Sequence, residues 1–307
     1  AQVEIDVTAE YFDYYAGWAR KYEGEIVQSD RPGENILLFQ QPIGVVVGIC
    51  PWNFQFFVMA RKVAPSILTG CSIILKPSSE TPNTTFEFAK LVAGLGLPKG
   101  VVNFVSGSGR TLGNTLVKSP ITGLVTLTGS VEAGQQIIAA TAENITKTSL
   151  ELGGKAPVIV CADCDVDLAI KAVVGSRMIF TGQVCNCAER LYVQKSIADE
   201  FIAKLTKAIA AVTYGDPAAN PDMACLVSKA QLDKVSAMVE RAKAAGAEVL
   251  TGGGKPDDMP TGYFYKPTLL GNCTQDMEVM RQEIFGPVLP YMTFADLDEA
   301  IALANDC

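Results

Sequence analysis

Three kinds of side chain in this sequence suffice for acyl transfer without histidine, a residue the chain lacks entirely. Cys185 in "FTGQVCNCAER" offers a thiol nucleophile, Glu151 in "SLELGGKAP" a carboxylate, and Asn53 in "PWNF" a side-chain amide. A thiolate attacks a carbonyl carbon, an amide N–H stabilises the resulting oxyanion, and a carboxylate activates the water that releases the acyl group. The missing histidine excludes Ser-His and Cys-His pairs and any histidine-liganded zinc. Cys187 stands two positions beyond Cys185, and the simplest role for it is packing.

Other residues point to a phosphate-bearing ligand. In "VVNFVSGSGRTLGNTL", Gly107, Gly109 and Gly113 follow an apolar run and precede a helical one, where glycine lets the backbone approach a pyrophosphate. A tight turn needs glycine too, so the motif alone has two readings. "LTGSVEAG" repeats the arrangement, with Ser130 placed to hold a phosphate by hydroxyl and amide. Lys76 in "ILKPSSETP" closes an apolar run, so it is either a ligand contact at the carboxyl edge of a sheet or a solvated surface lysine. "CADC", Cys161 and Cys164, has metal or redox spacing, but no second pair follows; structural thiols and no metal are expected.

These residues need a scaffold, and the apolar pattern describes one. Candidate strands at 43–50, 71–76, 101–105, 123–127 and 156–160 alternate with helical stretches at 56–69, 83–94, 110–117 and 131–142. Strands that are apolar on both faces and separated by helices imply a covered parallel sheet. An amphipathic helix is expected over 9–20, where Tyr11, Tyr14, Tyr15 and Trp18 recur at helical spacing. A second α/β region follows, with helices near 165–180, 197–212 and 228–245 and a strand at "AEVLTGG". The chain has 307 residues, 49% of them hydrophobic and 19% charged, enough for two packed domains. A net charge of -8 argues against a nucleic-acid partner. The longest apolar run, "IGVVVGIC", is too short to span a bilayer, so a cytoplasmic protein with no membrane partner is expected. Nine cysteines scattered among aliphatic residues are expected to be reduced and mostly buried.

Taken in order, "PWNF", "KPS", "TGS", "LELGGK", "GQVC" and "EIFGP" resemble the NAD(P)-dependent aldehyde dehydrogenase superfamily over essentially the whole chain. The resemblance implies an aldehyde-dehydrogenase-like α/β fold: a Rossmann-type cofactor domain over 1–152, with a bridging hairpin near 24–42, and an α/β catalytic domain over 153–307. It implies Cys185 as nucleophile, Glu151 as general base and Asn53 as oxyanion-hole amide beside the Cys185 N–H. For NAD or NADP it implies Lys76 and Ser79 at the adenosine ribose and its phosphate. Gly109, Gly113 and Ser130 fall near the pyrophosphate, and Leu152 and Trp52 among the further cofactor contacts. Glu283 and Phe285 clamp the nicotinamide ribose. Complete members are longer by about a domain's worth of residues, so truncation at both ends is expected, as is a homo-oligomer, dimer or tetramer, for the full-length protein.

Ser79 stands where NAD-preferring members carry a glutamate, so NADP is expected to be tolerated, although Glu80 next door offers a carboxylate. After Asn53 the residues Phe54, Phe57, Val58 and Arg61 share one helical face that lines the family's substrate tunnel. Arg61 offers a fork of donors to a polar aldehyde, and Asn186 adds another polar group. "GQVCNCAER" and "WARKYEGE" resemble dehydrogenases of small hydroxyaldehydes, lactaldehyde and glycolaldehyde. Three alternatives stand: Arg61 pairs with an acid across a domain interface, the substrate is succinate semialdehyde or another aldehyde, or the protein is a non-catalytic descendant of the family. A small aldehyde is the expected partner.

Overall fold

The computed structural model describes residues 2–307, which divide into two compact units, one up to Leu152 and the other Gly153–Cys307. In the first unit α1 (Gln2–Ala16) leads to an antiparallel hairpin, β1 (Glu25–Gln28) and β2 (Asn35–Leu38), whose strand residues are all exposed. Then follow β3 (Val45–Ile49), α2 (Gln55–Leu68), β4 (Ser72–Lys76), α3 (Asn83–Ala93) and β5 (Val102–Phe104). A π-helical turn (Gly109–Gly113) enters α4 (Asn114–Val117), and β6 (Thr122–Thr128), α5 (Val131–Thr141) and β7 (Lys147–Glu151) complete the unit.

Its five parallel strands lie in the order β5-β4-β3-β6-β7. The chain builds outward from β3 to β5, then returns to place β6 on the other side of β3. That reversal puts the topological switch point at the carboxyl ends of β3 and β6, the usual ligand position in such sheets. Side chains of β3 alternate between two cores: Val46 packs with Met59, Val63 and Phe88, and Val47 packs with Val117, Val125 and Ile137. Both faces are covered, as the apolar strand runs demand.

The second unit contains β8 (Pro157–Val160), α6 (Val166–Met178), β9 (Arg190–Gln194), α7 (Ala198–Ala210), α8 (Lys229–Ala244), β10 (Glu248–Thr251), β11 (Thr268–Gly271), α9 (Glu278–Arg281), β12 (Val288–Phe294) and α10 (Leu297–Asn305). Its sheet runs β10-β11-β12-β9-β8, antiparallel only between β10 and β11. Asp165, Ser228 and Asp296 cap α6, α8 and α10 by accepting from backbone amides of the first turn.

Several expectations shift. The first helix spans 2–16 instead of 9–20, and Trp18 falls in the turn beyond it. The helix expected at 110–117 starts as a π turn. The strand expected at 156–160 belongs to the second sheet, paired with β9, because local apolarity does not say which sheet a strand joins. β9, β11 and β12 are not among the strands expected; the strand expected just before Glu151 is β7, polar and mostly exposed, and it includes Glu151 as its last residue. All nine cysteines are free, with four buried, three half-buried and two exposed. Among the described residues no helix is long and apolar enough to cross a membrane.

Candidate functional site

In the first unit the candidate residues gather along the carboxyl edge of the sheet. After β3 the chain turns through Trp52, Asn53 and Phe54, and Phe54 adopts a left-handed φ of 49°. For a side chain bearing Cβ this costs about 1–2 kcal/mol, so neighbours must hold the turn. The Trp52 carbonyl accepts from Gln55 Nε2 (2.5 Å) and Thr81 Oγ1 (3.3 Å). Glu4 Oε1 accepts from the amides of Phe56 (2.9 Å) and Phe57 (3.4 Å), placing a carboxylate at the positive end of α2. Asn53 is thereby buried between a strand end and a helix start.

Lys76 ends β4 and is only 4% exposed, which decides against a solvated surface lysine. Its Nζ donates to Pro77 O (3.0 Å), and burial lowers its pKa. Ser79 Oγ donates to Gly107 O (3.4 Å), so the "KPSS" run meets the glycine turn because β4 and β5 are neighbours. A Cβ on Gly107 would press on Leu112, whereas Cβ atoms on Gly109 and Gly113 would meet nothing within 4 Å. Packing therefore explains the first glycine; the exposed backbone at Gly109 fits a ligand phosphate, whereas Gly113 is buried at the end of the π turn. Ser130 Oγ accepts from Ala133 N (3.2 Å) as the cap of α5, which leaves its hydroxyl proton for a ligand oxygen. Leu152 lies so close to α5 that a Cβ on Gly134 would come within 2.8 Å of it. A lysine and a serine hydroxyl beside an open glycine backbone suit a dinucleotide.

Glu151 is the last residue of β7, and its Oε1 lies 3.6 Å from Arg61 Nη2; the two side chains are 58% and 41% exposed. Arg61 also stands over the Phe57 ring, 5.8 Å from its centroid, as expected for residues sharing a face of α2. The acid that Arg61 finds lies within its own unit, and it is the candidate base. Sequence reasoning missed the neighbour, Lys62. Its Nζ crosses to β6 and donates to Thr126 Oγ1 and Thr128 Oγ1, both at 3.0 Å, and burial lowers its pKa to about 8. Cys50 beside it is pushed up to about 11 by burial.

In the second unit the two cysteines diverge. Cys185 is exposed, as is Asn186, while Cys187 is 2% exposed and donates to Val184 O (3.0 Å). Burial raises the Cys187 pKa, in keeping with a packing thiol. The approach to Cys185 runs through three consecutive positive φ values, Phe180 (52°), Thr181 (59°) and Gly182 (71°). Gly182 is required here, since a Cβ would run into the Gly286 carbonyl. Thr181 Oγ1 donates to Ala224 O (3.1 Å), and Gln183 Oε1 accepts from Val227 N (2.9 Å). Glu283 Oε1 accepts from Gly154 N (3.2 Å), and burial raises its pKa. Phe285 has a φ of 57°, and its carbonyl accepts from Gln231 Nε2 (2.7 Å).

Beneath these loops lies a buried group that sequence reasoning did not single out. Glu189 contacts Lys155 Nζ at 2.6 Å and Arg177 Nη1 at 2.8 Å, and all three side chains are within 4% of complete burial. Burial pushes the Glu189 pKa up, but the adjacent Arg177 and Lys155 charges outweigh it and hold the carboxyl at about 2. Burial lowers Lys155 to about 8, opposed by Glu189. The only signal in the sequence was that Lys155 and Glu189 sit inside the quoted motifs.

The family model described as "Aldehyde dehydrogenase family" matches residues 1–307. Lactaldehyde dehydrogenase of Escherichia coli is 54% identical over 308 residues, covering 100% of this chain and 64% of that protein. Its crystal structure superposes with a TM-score of 0.97 over 99% of this chain. A D-glyceraldehyde dehydrogenase (NADP+) of Thermoplasma acidophilum is 40% identical, covering 100% of this chain and 62% of that protein. The structure of betaine aldehyde dehydrogenase from Staphylococcus aureus in complex with NAD+ is 36% identical with a TM-score of 0.97, covering 99% of this chain and 61% of that one. The chain thus spans about 64% of the length of its relative from Escherichia coli.

Proposed function

This chain belongs to the aldehyde dehydrogenase family, and from that premise we propose that the protein oxidises a small hydroxyaldehyde, lactaldehyde or glycolaldehyde, to its acid with NAD or NADP. The Cys185 thiolate forms a C–S bond to the aldehyde carbon, and the former carbonyl oxygen accepts hydrogen bonds from the Asn53 amide and the Cys185 N–H. The dinucleotide, when bound, supplies the nicotinamide that accepts the hydride leaving that carbon. Glu151 takes a proton from water as its oxygen attacks the resulting thioester. The C–S bond then breaks, the acid departs and the thiolate is restored. Lys76, Ser79, Gly109, Gly113 and Ser130 hold the dinucleotide on one edge of the first sheet, with Trp52 and Leu152 as further contacts. Glu283 and Phe285 hold its nicotinamide ribose.

The observation that carries the substrate assignment is the Arg61–Glu151 pair at 3.6 Å. It sets a fork of donors suited to an α-hydroxyl within reach of the carboxylate that activates water. Phe54 and Asn186 complete the polar and aromatic surroundings assigned to the substrate. Identity of 54% with a lactaldehyde dehydrogenase supports the same choice. Because Arg61 already takes a carboxylate as partner, a semialdehyde bearing a distal carboxylate is the second reading. Ser79, short and neutral, supports acceptance of NADP. A homo-oligomer is part of this proposal, and the exposed apolar side chains of the hairpin, Ile26, Leu37 and the following Phe39, support it.

The test is aldehyde-dependent absorbance of reduced cofactor in the intact protein, run with NAD and NADP on lactaldehyde, glycolaldehyde and succinate semialdehyde. Cys185→Ala should abolish turnover. Glu151→Gln should keep a single-turnover burst while steady-state turnover falls by roughly a hundredfold or more. Undiminished turnover in Cys185→Ala would remove the proposal, and a preference for the semialdehyde would select the second reading.

A further inference from the structure

The buried group around Glu189 ties the loops that lead into β8, β9 and β12, three neighbouring strands of the second sheet, to Arg177 at the end of α6. Glu189 Oε2 accepts from Lys155 Nζ (2.6 Å) and Ile284 N (3.1 Å). Its Oε1 takes Arg177 Nη1 (2.8 Å) and Phe285 N (3.2 Å), so each oxygen carries two donors. Arg177 spends its remaining donors on loop carbonyls: Nη2 reaches Gly182 O (3.1 Å), Nη1 reaches Ala188 O (2.7 Å), and Nε reaches Gly286 O (2.9 Å), which Nη2 also contacts. Gly182 and Ala188 flank Cys185 on either side, while Ile284, Phe285 and Gly286 form the loop that presents Glu283 and Phe285. Lys155 follows Gly154, whose amide holds the Glu283 carboxylate.

Stability alone is a poor account of this arrangement. Two cations and one anion are desolvated together, and apolar residues of similar volume often serve a core as well or better. What apolar residues cannot do is hold loop amides and carbonyls in place across segments with unfavourable backbone conformations. Phe180, Thr181 and Phe285 all have positive φ and persist only where their surroundings over-determine them. We propose that Glu189 is a positioning residue: with Arg177 and Lys155 it locks the Glu283–Gly286 loop to the Cys185 loop, so that one carboxylate sets both the ribose clamp and the nucleophile. The inference rests on the roles proposed above for Cys185, Glu283 and Phe285.

Two variants of the intact protein test it, read out without turnover. The measurements are the dissociation constant of NAD or NADP by fluorescence titration and the rate of Cys185 alkylation by iodoacetamide, followed by peptide mass. Glu189→Gln keeps the shape but removes the charge, and in the folded protein it should raise the cofactor constant about tenfold and change the alkylation rate at least fivefold. Gln231→Ala releases the Ile284 and Phe285 carbonyls and leaves the ion group intact. It should raise the cofactor constant about threefold with alkylation unchanged. If Glu189→Gln does not fold, Gln231→Ala still decides, because an unchanged cofactor constant there overturns the idea that this loop sets affinity. Values within twofold of the wild type on both measurements in folded Glu189→Gln would overturn the positioning role while leaving the proposed reaction standing. A wild-type protein that binds neither dinucleotide would instead sink the reaction and this inference together.

Discussion

Arg61 and Glu151 form an exposed pair at 3.6 Å, and pairs of that kind are worth about 0–1 kcal/mol. Such a contact is readily exchanged for a substrate hydroxyl, which suits the role proposed for Arg61 in selecting polar aldehydes. Replacing Arg61 with leucine should lower kcat/KM for lactaldehyde by roughly ten- to a hundredfold, the value of a hydrogen bond to a charged donor. The same change should leave propanal, which lacks the hydroxyl, within about threefold. Equal losses on both aldehydes in parallel steady-state assays would remove Arg61 from the selection of substrate. Cys185 and Cys187 make a complementary point, because two positions apart in sequence one is exposed and the other buried.

At the scale of elements, α2 shows how one helix serves two environments. Arg61 points to solvent beside Phe57, while Lys62 runs inward to Thr126 and Thr128 of β6. Gly48 of β3 makes room for it, since a Cβ there would come within 3.3 Å of the Lys62 stem and 2.8 Å of Leu75. Burial lowers the Lys62 pKa from 10.5 to about 8. The unfolded chain therefore binds more protons between those values, and this lysine makes stability rise as pH rises through the interval. At pH 7 it is charged in both states and its burial costs roughly 3 kcal/mol. Lys62→Met removes that cost together with two hydrogen bonds. The stability of the variant relative to wild type should be most favourable near pH 7 and decline from pH 8 to 10.5. Urea midpoints at pH 7, 9 and 10.5 measure it, and a gap that does not vary with pH would contradict the assignment.

For the molecule as a whole, the Glu189 group adds a pH-dependent contribution to stability in the acid range. Burial raises the Glu189 pKa, but Arg177 and Lys155 hold it at about 2, below its ordinary 4.5. A depressed carboxylate contributes stability that is complete above its unfolded pKa and lost as pH falls toward the folded one. The stability difference between wild type and Glu189→Gln should therefore shrink as pH falls from about 4.5 to 2. Denaturant midpoints of both proteins at pH 6, 4 and 3 provide the measurement. A difference that widened on acidification would reverse the sign and reject the ion group as described.

The sequence by itself determined the reactive inventory and the scaffold class. A thiol, a carboxylate and an amide without histidine, set between parallel strands marked by runs such as "GVVVGIC" and "SIIL", are local facts of composition and spacing. Lys76 at a strand end and Arg61 on the face of Phe57 were legible for the same reason, because strand and helix periods act over a few residues. Partnership was not legible. Arg61 meets Glu151 90 positions away, Glu189 accepts from Ile284 across 95 positions, and Arg177 reaches Gly286 across 109. Whether a charge is buried, and which opposite charge compensates it, depends on the dielectric and geometry that the complete packing creates, and no short stretch of sequence carries either quantity. Only the tertiary structure decided that Lys62 is a core residue and that the Glu189 carboxylate joins Lys155 and Arg177 to the amides of Ile284 and Phe285.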